Sequence, residues 1–142
     1  NIDGLHQAAG SKRVLELHGN WTRLECTGCG ARSTIDDFDE ARAGRVPHCP
    51  SCSAVVRPDI VFYGESLDPG TLEGAVRAIA GADMLIVGGT SLAVYPAAGL
   101  IDYYQGGRLV LMNATPTPYD GRADLIIREP IGRVFAQIQG HV

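Results

Sequence analysis

Four cysteines constrain this chain more than any other feature. They fall as two pairs, Cys26-Thr-Gly-Cys29 and Cys49-Pro-Ser-Cys52, with nineteen residues between Cys29 and Cys49. Two residues between cysteines let both sulfurs of a knuckle face one ion, and two knuckles complete a tetrahedron with metal–sulfur distances of ~2.3 Å. The spacing reads as a four-thiolate zinc ribbon. Gly28 and Gly30 relieve the backbone around the first knuckle, and Pro50 stiffens the second. A closed four-sulfur site leaves no open coordination position, so the expected zinc is structural. Paired disulfides or a thioredoxin-like redox pair are the competing readings. The sequence shows no secretory-signal pattern, and two pairs at ribbon spacing favour the metal and a cytoplasmic setting. His48 beside Cys49 reads as a solvated neighbour of a complete site.

The remaining residues supply a core. Of 142 residues 45% are hydrophobic and 20% charged, enough apolar material for one domain and too much for a disordered chain. No apolar run approaches the ~18 residues of a membrane-spanning helix, so no membrane partner is expected. The net charge is -4, with twelve basic residues scattered among sixteen acidic ones. A phosphate footprint needs a Lys/Arg excess, so no nucleic-acid partner is expected either.

Along the chain, Val14–Leu17 alternates like a short strand ending at His18, and residues 35–41 read as a short helix. From Pro58 the texture becomes alternating strand and helix. Ile60–Tyr63 reads as a strand, and Asp68 and Pro69 open a helix over 68–81 at N-cap and N1 positions. Met84–Val87, Leu109–Met112 and Asp124–Ile127 read as strands, the first fully buried, with helices over 96–105 and 131–139. Continuous apolar strands alternating with helices predict an α/β fold, a parallel sheet covered on both faces. The expected organisation is a first segment over 1–22, a zinc-ribbon module over 23–57, and the C-terminal part of the sheet domain over 58–142.

Ligands of open α/β sheets bind outside the carboxyl ends of the strands. Gly88-Gly89-Thr90-Ser91 stands at one such end, where small residues let backbone N–H groups approach phosphates or ribose hydroxyls. Asn113 stands at the next. Each taken singly also fits a plain turn, but together they would face one crevice. His18, followed by Gly19, is a natural general base near such a crevice, because imidazole titrates near neutrality. His6 and His141 have no such context and read as solvated or structural.

At this point the residues add up to a family. Asn1-Ile2-Asp3-Gly4-Leu5-His6-Gln7, Glu16-Leu17-His18-Gly19, the two cysteine pairs, Arg57-Pro58-Asp59-Ile60-Val61-Phe62-Tyr63-Gly64-Glu65 and Gly89-Thr90-Ser91-Leu92-Ala93-Val94-Tyr95-Pro96-Ala97 resemble the sirtuins, in family order and over nearly the whole chain. The short ribbon is similar to bacterial and archaeal members. The resemblance implies a Rossmann-like sheet with an inserted zinc ribbon, and an NAD-dependent protein-lysine deacylase. In such enzymes the acyl-lysine oxygen attacks the nicotinamide ribose of NAD, nicotinamide leaves, and the acyl group ends on ADP-ribose.

The same resemblance assigns the residues. His18 matches the general base, and Asn1, Ile2 and Asp3 match the segment at the nicotinamide carboxamide and its ribose. Gly89, Thr90 and Ser91 match the ribose–phosphate turn, Asn113 the adenosine ribose, and Ile131 and Gly132 the neighbourhood of adenine. An acylated lysine in a protein or peptide would pair between two extended segments, Val61–Glu65 and Leu92–Tyr95, with Val61 and Phe62 lining the acyl-lysine channel.

The family's glycine-rich Gly-Ala-Gly turn and its flexible arginine-bearing loop have no counterpart here, so the resemblance implies the C-terminal portion of such an enzyme. Two other functions fit the same residues: an inactive truncated homologue serving as a zinc-stabilised protein-binding domain, and a zinc-ribbon nucleic-acid module.

Overall fold

The computed structural model describes residues 1–139; His141 lies outside the described residues. The chain forms two compact units, Asn1–Leu72 and Glu73–Val142.

The first unit is organised by a three-stranded antiparallel sheet in the order β2-β1-β3, with β1 at Gly19–Cys26, β2 at Arg32–Thr34 and β3 at Val56–Ile60. Its core is small, formed by Leu24, Cys26, Cys49 and Val56 with Ile35, Phe38 and Ala54 packed against them. Helix α1 (Leu5–Ala8) precedes the sheet. A single 3-10 turn at Ile35–Asp37 and helix α2 (Asp39–Arg42) replace the one short helix expected over 35–41. Asp37 caps that turn by accepting from the Thr34 N–H at 2.7 Å.

Two strand expectations are corrected. Val14–Leu17 is not a strand. The Gly19 N–H donates to the Glu16 carbonyl at 3.0 Å, closing a turn over Leu17 and His18, and the strand begins only at Gly19. Ile60–Tyr63 is not a strand either, because β3 ends at Ile60. Its start at Val56 places Pro58 inside the strand, which an edge position tolerates since its missing N–H faces away from the ladder.

The second unit holds a parallel sheet in the order β4-β5-β6, with β4 at Leu85–Gly88, β5 at Leu109–Met112 and β6 at Leu125–Ile127. Central β5 is buried throughout. Its Leu109 and Leu111 enter one core with Leu92, Ile101, Tyr104 and Tyr119, and its Val110 and Met112 enter another with Val134. Successive side chains of a strand point to opposite faces, so β5 is covered on both. Strand β4, at the edge of this sheet among the described residues, is not fully buried as expected: Ile86 is 45% exposed, so the face it points to is left uncovered there.

Helix α3 (Pro69–Ala80) begins where the Asp68-Pro69 pair predicts, with the Asp68 carboxylate accepting from the Thr71 N–H at 2.7 Å. The stretch over 96–105 is 3-10 rather than α, at Ala97–Tyr103, and helix α4 covers Ile131–Gln139. Among the described residues no helix is long and apolar enough to cross a membrane.

Candidate active site and metal centre

The metal centre is built from two hairpin-like knuckles. Cys26 ends β1, and its sulfur accepts from the N–H groups of Gly28 at 3.3 Å and Cys29 at 3.5 Å. The second knuckle is tied to its own return strand by Cys49 N–H to Ala54 carbonyl at 2.8 Å. The knuckles meet so closely that a Cβ on Gly28 would stand 2.7 Å from the Ala54 Cβ and 3.2 Å from the Cys52 sulfur. Glycine is required there for the close approach.

All four sulfurs lie within 4.8 Å of one another. The Cys26–Cys52 and Cys29–Cys49 separations are 3.4 and 3.7 Å, close to the edge of about 3.8 Å for a tetrahedron with zinc–sulfur bonds of ~2.3 Å. The N–H groups of Cys29 and Gly28 pull the Cys26 thiol down to about 6. Cys52, despite an N–H from Ala54, is pushed up to about 12 by the neighbouring sulfurs of Cys26 and Cys29. Four adjacent thiolates need a cation among them. The donor set fits one structural zinc, and exposed His48 is not part of it.

The first unit also draws three of the predicted pieces together. His18 sits half-buried in the turn before β1. Its carbonyl accepts the Val61 N–H at 3.0 Å, and the Ile2 carbonyl accepts the Trp21 N–H at 3.0 Å. Asn1–Asp3, His18 and Val61 are thereby attached to the same end of β1. The Asp3 Oδ1 accepts the Leu5 N–H at 2.9 Å, leaving Oδ2 with no side-chain or backbone donor among the described residues.

On either side of His18 in the chain, Glu16 and Asn20 belong to a polar network that sequence reasoning missed. Asn20 donates through Nδ2 to Glu16 Oε1 at 2.8 Å, and Glu16 is ion-paired with Arg23. Arg23 Nε also reaches Asp59 Oδ2 at 2.9 Å. Burial pushes the Glu16 carboxyl up, but hydrogen bonds from Arg23 and Asn20 outweigh it and hold it below the usual carboxylate range. The Glu16-Asn20 spacing was the available signal, yet a polar pair four residues apart ordinarily reads as surface.

Val61–Glu65 is not extended as expected. Glu65 N–H donates to the Phe62 carbonyl at 3.0 Å, forming a turn with Tyr63 and Gly64 at its tip. Arg57 clamps it, donating to both Glu65 oxygens at 2.8 and 2.9 Å and to the Ile60 carbonyl at 3.0 Å. Its guanidinium stacks 4.7 Å from the Phe62 ring centroid. The Arg57 hydrogen bonds, joined by the Phe62 N–H, hold Glu65 down to about 2.

The second unit gathers the other set at the carboxyl ends of its strands. Gly89 N–H donates to the Met112 carbonyl at 3.0 Å, and Asn113 N–H to the Ile127 carbonyl at 3.1 Å. A Cβ on Gly88 would stand 2.3 Å from Ile131 Cδ1, so Ile131 and the start of α4 lie against the same strand end, with Gly132 exposed beside it. Thr90 and Ser91 are exposed, and the Thr90 hydroxyl oxygen accepts the Leu92 N–H at 3.2 Å. Leu92–Tyr95 is likewise not extended. Leu92 has φ 51° and its side chain is buried in the core, while Ala93, Val94 and Tyr95 are exposed.

The Sir2 family model matches residues 1–96. An NAD-dependent protein deacetylase of Clostridium acetobutylicum is 49% identical over 97% of this chain and 56% of its own length. One from Clostridium perfringens is 50% identical over 97% of this chain and 56% of its length. A solved structure of Sir2 with a p53 peptide and NAD+ aligns with TM-score 0.90 at 40% identity, covering 99% of this chain and 60% of that one. A Sir2Tm structure bound to a propionylated peptide aligns with TM-score 0.89 at 40% identity, with the same coverage. The chain spans about half the length of the curated relatives it matches.

Proposed function

Because the chain belongs to the Sir2 family, with a Rossmann-like parallel sheet and a four-cysteine zinc site, we propose that the protein is an NAD-dependent protein-lysine deacylase acting on acylated lysines in proteins or peptides. The observation that carries this reading is the attachment of Ile2, His18 and Val61 to one end of β1 through the Trp21–Ile2 and Val61–His18 bonds. A carboxamide-reading segment, a proton acceptor and an acyl-lysine segment are the parts such a transfer needs side by side.

NAD, when bound, supplies a ribose carbon that can release nicotinamide and hydroxyls that can take the acyl group. Asp3 Oδ2 is free to accept from the carboxamide NH₂, for which a carboxylate is suited, with Asn1 and Ile2 flanking it. The His18 imidazole takes the proton of a ribose hydroxyl as general base. Gly89, Thr90 and Ser91 offer backbone and hydroxyl groups to the ribose–phosphate portion, Asn113 to the adenosine ribose, and Ile131 and Gly132 an apolar floor near adenine.

The proposed acyl-lysine segment is Val61, Phe62, Tyr63, Gly64 and Glu65. Leu92, Ala93, Val94 and Tyr95 are the proposed second peptide-binding segment, each segment offering its own backbone groups to an extended substrate. Phe62, 49% exposed, offers its ring to the acyl-lysine stem. Zinc at Cys26, Cys29, Cys49 and Cys52 takes no part in proton or acyl movement, because four sulfurs close the site. A cytoplasmic location suits it, since a reducing compartment keeps the thiols available for metal.

The test is incubation of the full-length protein with NAD and an acetyl-lysine peptide, followed by mass spectrometry. Stoichiometric nicotinamide, free lysine peptide and O-acetyl-ADP-ribose are expected. Peptide hydrolysis without nicotinamide release, or no turnover by folded zinc-loaded protein, would overturn the reading.

A further inference from the structure

Asn20 is buried, 5% exposed, and all its side-chain bonding stays within a few residues of His18. Its Oδ1 accepts from the Thr22 N–H at 2.9 Å and from the Thr22 hydroxyl at 2.7 Å, while its Nδ2 donates to Glu16. Both ends of the amide plane are therefore fixed. We infer that Asn20 is a positioning residue that locks the Asn1–Asp3 segment and the His18 turn into one rigid arrangement. The inference rests on the deacylase reading for what those segments do, and on geometry alone for their coupling.

The β1–β3 register carries the argument. Asn20 pairs with Asp59, and the next pair is Leu24 with Pro58. Trp21, Thr22 and Arg23 thus bulge out of that ladder, and bulges re-aim groups beside functional sites. The bulge frees the Trp21 N–H to meet the Ile2 carbonyl. Asn20 closes the bulge by taking the Thr22 N–H that has left the ladder. Through Nδ2 the same amide holds Glu16, whose carbonyl closes the turn over Leu17 and His18. Gly4 lies against it as well: a Cβ there would stand 3.1 Å from Asn20 Nδ2. One side chain thus touches the base-bearing turn, the bulge that docks Ile2, and the backbone after Asp3. Buried amides held on both sides specify a unique arrangement, and losing one leaves its partners unsatisfied.

The test uses the full-length protein with Asn20→Ala, Asn20→Asp, and Asn20→Asp combined with Glu16→Gln, which restores a donor–acceptor pair of reversed polarity. Amide hydrogen exchange is followed at Trp21 and over residues 2–5, with Leu111 as the control in the second unit. Asn20→Ala is expected to speed exchange at Trp21 and over residues 2–5 together, leaving Leu111 and zinc content unchanged. Deacylation kcat/KM per folded molecule is expected to fall about 10²-fold, as misplacement of reacting groups does. That loss divides between a raised KM for NAD and a lowered kcat, and the reversed-polarity pair recovers most of it.

Unchanged exchange at both segments overturns the inference. So does faster exchange with kcat/KM per folded molecule within threefold of the parent, since Asn20 then supports only the fold. Where Asn20→Ala does not fold, Thr22→Val removes one of the three hydrogen bonds and is read the same way with a smaller effect. A parent protein that releases no nicotinamide sinks the deacylase reading, and the exchange measurement still decides whether Asn20 couples the segments.

Discussion

A Cβ built on Gly19 would stand 1.9 Å from the carbonyl oxygen of Asp59. Gly19 also has φ +77°, a region side chains rarely adopt. The residue after His18 is thus glycine for two independent reasons, and the opposing atom is backbone of a paired strand that cannot step aside. Gly19→Ala is expected to cost about 1–3 kcal/mol from the φ requirement, with the clash added. Urea unfolding checks it. A midpoint equal to that of the parent would show that β3 yields and that the His18 turn is looser than its geometry indicates.

The metal site gives the second prediction. Purified protein should carry one zinc per chain, and Cys26→Ser or Cys52→Ser should lose it. Structural zinc contributes on the order of 10 kcal/mol in small modules, and the core around Leu24 and Val56 includes Cys26 and Cys49 themselves. Chelation should therefore unfold this region rather than merely empty it. Metal analysis with circular dichroism decides the point; a full complement of disulfides by thiol titration would sink it.

Glu65 gives a pH dependence. Its carboxyl is held down to about 2 in the fold, by Arg57 and then the Phe62 N–H, against an ordinary value of 4.5. A folded value below the unfolded one means the contribution is fully present above about pH 4.5 and is lost as pH falls through about 2. The Phe62–Glu65 turn should loosen over that acid window and stay closed near neutrality, where Arg57 remains charged. The Phe62 amide resonance, followed by NMR, should move across the window in the parent and lose that step in Glu65→Gln. A step centred at the ordinary carboxylate value would mean the clamp does not form in solution.

What was legible in the sequence were features that act locally. Strand β5 is four apolar residues in a row and is covered on both faces. Asp68-Pro69 names its helix start by capping chemistry, and the cysteine spacing names its ion. The β1–β3 pairing was not legible. The sequence places a strand at Ile60–Tyr63 instead, whereas Val56–Ile60 is the strand because it pairs antiparallel with β1, Val56 opposite Cys26 and Asp59 opposite Asn20. That partner is distant in sequence, as the Arg23–Asp59 pair 36 residues apart shows. Val14–Leu17 has the right alternation, but Gly19 gives its N–H to Glu16 and turns the chain instead. The candidate site divides the same way. His18 and Asn113 are singled out by their places at expected strand ends and again by the resemblance, and Asp3 by the resemblance alone. The contacts of Asn20, Glu16 and Arg57 are ones that only the fold creates.

His18 gives the catalytic prediction. In the full-length protein His18→Ala should lower deacylation by about 10²–10⁴-fold, the range a general base contributes. Zinc content should be unaffected, since His18 holds Val61 through its backbone carbonyl and the substitution leaves that bond in place. Activity within threefold of the parent, measured as O-acyl-ADP-ribose formed, would remove His18 from the mechanism.

Asn113 tests the second unit. Its Nδ2 donates to the Thr115 carbonyl at 2.8 Å and also reaches the Thr115 hydroxyl at 3.2 Å. The amide is therefore oriented by its own loop, and its oxygen is left to accept from a ribose hydroxyl. Arg128 braces the same loop, donating to the Thr115 carbonyl at 3.1 Å and pairing with Asp120. Asn113→Ala would remove the neutral hydrogen bond proposed to the adenosine ribose and also the bonds to Thr115 that orient the loop. A net loss of about 0.5–1.5 kcal/mol is expected for such a bond, or up to about tenfold in affinity. Calorimetric titration with NAD and with ADP-ribose should show the same loss for both, because the two ligands share the adenosine ribose. A loss for NAD alone would place Asn113 at the nicotinamide end, and no loss for either would remove it from the site.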